Sequence, residues 1–309
     1  MPVFIFVGGL ILGLLFAAFY AYRVAFYVPS SYQENIYDLP PGEQFERNHE
    51  TMRKCIDRLN GLPFESVTIT SFDGKKLFGR YYHTRDGAPL QIQFHGYRGS
   101  AMRDFCGGTP FARRLGHNAL VVDQRSHGRS EGHTISFGIL ERFDCQSWCR
   151  YAHDRFGKET PLILVGVSMG AATVLMASDL ELPENVRAVV ADCPYSAPKS
   201  IICKVAAEMG IPRKAAGLVC TIGAFVYGKF RLDASSALDA VRRTKLPILL
   251  VHGRDDDFVP CHMSQEIYDV CTSEKELHIF PNAGHGMCYL EDPQRYEAVV
   301  ESFLTRHLA

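Results

Sequence analysis

The chain opens on an apolar block: the first 22 residues, MPVFIFVGGLILGLLFAAFYAY, contain no charged side chain. At 1.5 Å per residue, about 20 helical residues cross a hydrocarbon layer of roughly 30 Å, so residues 1–28 are expected to form a transmembrane anchor. A cleaved signal peptide is the rival reading, but no Lys or Arg precedes Val3 and no A-x-A occurs before Tyr27. The following PSSYQENIYDLPPGE is polar and punctuated by proline, as a juxtamembrane linker would be. Phe45, Met52, Ile56 and Leu59 then recur at helical spacing. They predict a short amphipathic helix over 43–59 that packs on the domain and does no chemistry.

Beyond this linker and helix (29–60) the pattern changes. FESVTITSFDGKKLFGRYYHT alternates like two strands joined by an Asp73-Gly74 turn. Short apolar runs follow: LQIQF (90–94), NALVVD (118–123), PLILVG (161–166), VRAVVAD (186–192), LPILLVHG (246–253) and ELHIFP (276–281). Such runs suit strands buried on both faces of a parallel sheet. Helical stretches near 101–115, 138–156, 169–181, 262–273 and 292–307 separate them. A leading hairpin followed by this alternation predicts an α/β domain over 61–309, a mostly parallel central sheet with helices on both faces. Between about 194 and 245 the pattern lapses into SIICKVAAEMGIPRKAAGLVCTIGAFVYGKF, helical and unusually apolar. It reads either as a segment that lines an apolar pocket or touches the membrane, or as a helical cap on its own core.

Composition narrows the partners. With 47% apolar and 22% charged residues in 309, the chain is ordinary for a globular protein. A net charge of −1 and no dense Lys/Arg patch give no reason to expect nucleic acid. All ten cysteines come after residue 50 at irregular spacing, which suits unpaired thiols buried in a reducing compartment. Cys145 and Cys149 share a helix face, but two thiols make no zinc site. Arg23 follows the span directly and nothing basic precedes it, so the domain over 61–309 is expected in the cytoplasm.

Candidate chemistry begins at LVGVSMGAA, where G-x-S-x-G (Gly166 to Gly170) lies between a strand and a helix. A serine hydroxyl is a poor nucleophile without a positioned base. Downstream, ILLVHGRDDDFVP runs an apolar strand into three aspartates, and LHIFPNAGHGM ends another in a histidine loop. In this order and context the chain resembles the α/β-hydrolase superfamily, the serine hydrolases that include esterases, lipases and S33- or S9-like peptidases. The resemblance covers about residues 64–309. It sets the family's H-G-x-x-D-x-x-V-P on His252 to Pro260, which implies Asp256 as the triad acid over Asp255 and Asp257. It sets G-H-G on Gly284 to Gly286, which implies His285 as the base acting on Ser168. FHGYRGS (94–100) corresponds to the oxyanion turn, implying the backbone N–H groups of Tyr97 and Met169 as donors. Asp123, Arg125, His127 and Ser130 match the D-x-R-x-H-G-x-S loop that braces the site, and His95 and His252 take structural roles. No metal or organic cofactor is implied.

The activity so implied is hydrolysis of carboxylic esters through an acyl-enzyme, on a lipophilic or medium-size acyl substrate. A serine aminopeptidase or dipeptidyl peptidase of the same fold is the alternative. It would need carboxylates for a free α-amine, and residues 194–245, which the resemblance places where the family inserts a lid that can form an acyl pocket, offer Glu208 and Asp233, far apart in sequence. Non-catalytic binding proteins on this fold tend to lose a triad residue, and all three are present.

Overall fold

Each apolar run after residue 89 becomes a strand. In the computed structural model, which describes residues 2–29 and 35–308, helix α1 (Pro2–Ala25) comes first, then α2 (Glu43–Glu46) and α3 (His49–Asn60). Residues 30–34, part of the expected linker, lie outside the described residues. Strands β1 (Glu65–Thr70) and β2 (Lys76–Tyr82) form the hairpin, with Gly74 in its turn at φ 86°. Next are β3 (Leu90–Phe94), α4 (Ala101–Asp104), α5 (Gly108–Arg114) and β4 (Asn118–Val122). The chain continues through α6 (Glu141–Phe156), β5 (Leu162–Val167), α7 (Met169–Ala177) and β6 (Val186–Asp192). The helical segment holds α8 (Pro198–Glu208), α9 (Arg213–Val226) and α10 (Ala237–Val241). Strands β7 (Ile248–Gly253) and β8 (Lys275–Phe280) close the sheet, with α11 (His262–Val270) between them and α12 (Cys288–Glu291) and α13 (Pro293–Leu308) after them.

The eight strands make one sheet in the order β1-β2-β4-β3-β5-β6-β7-β8. The pairs β1–β2 and β2–β4 are antiparallel, and the other neighbours are parallel. Successive side chains along a strand face opposite ways. Ile92, Phe94, Leu164, Val189 and Leu250 therefore meet Trp148 of α6 and Val174 of α7 on one face. On the other, Ile163, Val190 and Val251 meet Phe111 of α5 and Val300 and Phe303 of α13. Strand β3 departs from this: its second face carries Gln91 and Gln93, both buried.

Several expected helices are broken or shorter. The helix over 43–59 divides at Arg47 and Asn48, whose side chains both turn to Glu291. The helix over 101–115 divides at Phe105 to Gly107, where a Cβ on Gly107 would lie 2.3 Å from the Tyr289 ring. Helix α6 begins at Glu141 rather than 138 because Phe137 and Gly138 take φ 54° and 87°. The Glu141 carboxylate instead ties that turn, accepting from the Ser136 and Gly138 amides at 2.8 Å each. Helix α7 stops at Ala177 and α11 at Val270, three to four residues early.

The end of α1 is built into the body. Ala18, Tyr22 and Phe26 are buried, whereas Leu10, Leu12 and Phe16 are exposed. Helix α9 meets α1 through Gly223, where a Cβ would lie 2.5 Å from the Ala18 carbonyl oxygen. Phe26 sits edge-on to Phe137 at 5.7 Å and to Phe230 at 5.5 Å. Truncating a buried phenylalanine to alanine costs about 3–5 kcal/mol. Phe26→Ala in the full-length chain in detergent should therefore lower the thermal unfolding midpoint by several degrees. An unchanged midpoint would mean that the end of α1 is not part of the folded body.

Candidate active site

The turn at Ser168 is set by two glycines. Ser168 sits between β5 and α7 at φ 55°, ψ −115°, a conformation rare for any residue with a Cβ. A Cβ on Gly170 would lie 1.8 Å from the Phe94 carbonyl oxygen, and one on Gly166 would lie 2.3 Å from the Gly170 carbonyl carbon. The turn closes only because both positions lack a side chain. The Ser168 amide donates to the Asp192 carbonyl at 2.8 Å, which fixes the turn to the end of β6.

From Ser168 a chain of hydrogen bonds runs to the end of β7. Ser168 Oγ is 2.9 Å from His285 Nε2, and His285 Nδ1 is 2.7 Å from Asp256 Oδ2. The carboxylate accepts, so Nδ1 carries the proton and Nε2 is left to accept from the serine hydroxyl. Asp256 Oδ1 accepts from the Phe258 and Val259 amides at 3.0 and 2.8 Å. Burial alone would raise the Asp256 pKa. The charge of His285 and the hydrogen bonds from His252 and His285 outweigh it and hold the carboxyl well below the ordinary range. Of the three adjacent aspartates, Asp255 and Asp257 do not reach His285: Asp257 is exposed and bonds to Gln44 and Lys204. His252 is locked behind the pair, with Nδ1 2.6 Å from Ser264 Oγ and Nε2 2.8 Å from the Val259 carbonyl.

The loop after β3 is held on both sides of Tyr97. The Gly96 amide donates to Asp104 Oδ2 at 2.7 Å, and the Arg98 amide donates to His127 Nε2 at 3.1 Å. Burial and the neighbouring His95 push the His127 pKa down to about 3, so a neutral ring accepts there. Met169 is the first residue of α7, and its N–H has no acceptor within the helix. The side chains of Tyr97 and Met169 pack among Tyr22, Phe26 and Phe137. Asp123 accepts from Arg80 at 2.8 Å and from the Arg129 amide at 3.0 Å, and Arg125 forks onto buried Asp144 at 2.6 Å. His95 Nε2 accepts from the Gln124 amide at 3.1 Å.

A cavity of about 450 Å³ opens beside Ser168 and His285. It runs along the second face of the sheet, past Val165, Val190 and Asp192, toward Val300 and Leu304 of α13. Its cover bears on two expectations. None of its lining comes from residues 194–245, for which an acyl pocket is one of the alternatives, while Gln44 and Phe45 of α2 and Met52 of α3 do line it. The 43–59 segment is also more than packing, since Gln44 Oε1 accepts from the His285 amide at 2.8 Å. No local pattern marks Gln44, because the two residues are 241 positions apart. The cavity's polar side is a chain in which Thr109 donates to Gln93 at 2.6 Å and Gln93 donates to Gln91 at 3.1 Å. The alternation in LQIQF is the signal for it. Cys193, Asp256 and His285 have ligand-type atoms within 4.8 Å of one another, but Asp256 and His285 are already bonded to each other.

With this geometry in place, similarity to known proteins can be stated. Residues 92–218 match a family model described as the alpha/beta hydrolase fold, and residues 221–293 match one described as serine aminopeptidase, S33. Among curated relatives, the uncharacterized protein YqkD of Bacillus subtilis is 27% identical over 191 residues, 62% of this chain and 63% of that protein. The alignment thus spans less than two thirds of YqkD. The bem46 protein of Schizosaccharomyces pombe is 22% identical over 93% of this chain and 87% of its own. Among solved structures, the Pyrococcus furiosus esterase Pf2001 has a TM-score of 0.67 at 23% identity, covering 82% of this chain and 94% of that one. Est1E from Butyrivibrio proteoclasticus, with ferulic acid bound, has a TM-score of 0.60 at 20% identity over 78% and 99%. The chain has the α/β-hydrolase fold, and the two family matches support an α/β-hydrolase superfamily member.

Asp104 and Asp192 are acidic groups on the cavity wall that no sequence motif marked, and Asp104 is held by the Gly96 amide and Arg103, whereas Asp192 is not so paired. Its Oδ1 has no hydrogen-bond partner among the described residues. Burial, only partly offset by the charge of His252, pushes its pKa up to about 6. An unfolded aspartate titrates near 3.9, so the folded chain holds this proton more tightly. Stability from this group is present below about pH 4 and is lost as the pH rises through about 6. Relative to Asp192→Asn, the wild type should lose on the order of 2–3 kcal/mol between pH 4 and pH 8 in urea unfolding. A gap between the two proteins that stays constant with pH would refute the assignment.

Proposed function

We propose that this chain is a serine hydrolase that cleaves carboxylic esters of lipophilic or medium-size acyl groups through an acyl-enzyme. One observation carries the reading: the line Ser168 Oγ, His285, Asp256 opens onto a largely apolar cavity of about 450 Å³. That volume lies within the roughly 300–1,000 Å³ of small-molecule sites. Ser168 Oγ attacks the ester carbonyl carbon as His285 Nε2 takes its proton, and the Tyr97 and Met169 N–H groups receive the charge on the carbonyl oxygen. The intermediate collapses with transfer of that proton from His285 to the departing alcohol. Water then attacks the acyl-enzyme, loses a proton to His285, and releases the acid as the proton returns to Ser168 Oγ. Asp256, its second oxygen held by two backbone amides, keeps His285 in one tautomer and stabilises the imidazolium.

A peptidase is the second reading. It rests on the match of residues 221–293 to a serine aminopeptidase model and on Asp192, a carboxyl on the cavity wall that would suit a substrate ammonium. Esters are favoured because the rest of the wall is mainly apolar. Glu208 and Asp233, the acidic groups expected to serve a peptidase, do not line the cavity.

We take α1 as a membrane anchor. Val7–Ala25 has a mean hydropathy of 1.7 over 19 residues, enough to cross a bilayer by length and composition. Cleavage as a signal peptide after this segment would strip Ala18 and Tyr22 from the packed body. Arg23 and ten free cysteines favour a cytoplasmic catalytic domain.

The test is hydrolysis of p-nitrophenyl esters from acetate to palmitate by the full-length chain in detergent. Ser168→Ala should cut kcat by at least about 10⁴-fold. Equal rates in wild type and variant would end the serine reading. Turnover of aminoacyl anilides but not of esters would move the assignment to the peptidase.

A further inference from the structure

The loop that carries Tyr97 is fastened to the membrane helix. Tyr97 donates its hydroxyl proton to the Ala25 carbonyl at 2.9 Å. Arg98 Nη2 donates to the Val24 carbonyl at 2.9 Å and to the Tyr27 carbonyl at 3.3 Å. These are the last carbonyls of α1 and the residues just after it, which have no donors of their own within the helix. A guanidinium there also meets the negative end of the helix dipole. The same end of α1 is stitched to the segment beside the loop. Ile135 donates its amide to the Phe26 carbonyl at 2.8 Å, Val28 donates to the His133 carbonyl at 3.0 Å, and Tyr22 and Thr134 hydroxyls lie 2.8 Å apart. The Tyr97 ring stacks on Phe137 at 4.9 Å, and Phe137 meets Phe26.

This arrangement exceeds what tethering requires. Arg98 takes φ 48°, a left-handed conformation that costs free energy for a residue with a Cβ, and such a conformation persists only where its surroundings fix it. The Arg98 amide is held by His127 from within the domain, while its side chain and that of Tyr97 are held by α1. Between these two anchorages lies the Tyr97 peptide, whose N–H is the proposed oxyanion donor.

We propose that the C-terminal end of α1 positions the oxyanion loop, with the Tyr97 hydroxyl and the Arg98 guanidinium as positioning groups. The anchor and the oxyanion hole are then one mechanical unit, and the way α1 is seated tunes the chemical step. This rests on the ester-hydrolase reading and on the Tyr97 N–H as donor. Losing one oxyanion donor outright costs about 10²–10³ in rate. Loosening one should cost less, and it should appear in kcat, because the oxyanion forms after substrate binds.

The experiment uses the full-length chain in phospholipid nanodiscs with p-nitrophenyl butyrate. Its variants are Tyr97→Phe, which keeps the ring, Arg98→Met, which keeps the apolar stem, their double, and Arg98→Lys. The double variant should lose about tenfold to a hundredfold in kcat with KM within about twofold. Affinity for a trifluoromethyl ketone transition-state analogue should fall in parallel, and Arg98→Lys should recover part of the loss. A double variant with wild-type kcat and analogue affinity would overturn the proposal. A change confined to KM would also overturn it. If the double variant fails to fold, Arg98→Met at its exposed position carries the same comparison. The two readings fail differently. A wild type inert on esters, with Ser168 unlabelled by a fluorophosphonate, removes the hydrolase reading and this one with it. An active wild type matched by its double variant removes only the coupling.

Discussion

The site hangs on the approach of the Phe94 carbonyl to Gly170, where a Cβ would lie 1.8 Å away. With no side chain there, α7 can begin directly against the end of β3. That brings the Met169 N–H beside the loop bearing Tyr97 and lifts Ser168 above the strand ends. The cost is a serine at φ 55°, ψ −115°, of order 1–3 kcal/mol. It is offset by the helix that follows, since all nine residues of α7 are buried. A strained turn persists when burial on either side leaves no cheaper path.

Electrostatics then separates groups of the same type into different roles. Asp192 and Asp256 end or follow adjacent strands, and both are buried. Asp256 receives two backbone amides and two imidazoles and is held ionised, whereas Asp192 keeps one oxygen without a partner and is pushed up to about 6. What differs is the number of donors, not depth. The histidines divide in the same way. His252 is fully buried between Ser264, Val259 and Asp256, with both ring nitrogens occupied, while His285 spends one nitrogen on Asp256 and turns the other to Ser168.

Much of this was legible from local pattern. The runs from LQIQF to ELHIFP mark all six later strands to within two residues, because buried parallel strands need continuous apolar sequence. Ser168, Asp256 and His285 stand in motifs tied to strand ends, and the structure brings them within hydrogen-bond reach. Contacts between segments distant in sequence were not legible. Gln44 on His285 and Tyr289 against Gly107 leave no periodic trace, and the periodicity that marks Phe45 and Met52 does not say that they cover the cavity. The apolarity of the 194–245 segment leaves its role open, because it does not say what the apolar surface packs against. Here much of it faces α1, with Cys220 and Ala224 beside Tyr22 and Phe26.

The consequence concerns where the individuality of this chain lies. The family models match residues 92–218 and 221–293 and so cover the parallel part of the sheet, the serine turn and the histidine loop, but not the β1–β2 hairpin. The N-terminal sixty residues, which read as an appendage, touch the site from two directions. Val24 and Ala25 receive hydrogen bonds from the Tyr97–Arg98 loop on one side, and Gln44, Phe45 and Met52 meet His285 and the cavity on the other. The shared motifs bring Ser168, His285 and Asp256 into line. The extent of the cavity and the seating of the Tyr97 loop are set by residues outside them. Grafting the N-terminal segment of another α/β hydrolase onto this sheet would therefore alter the cavity and the Tyr97 loop together while leaving the serine turn intact.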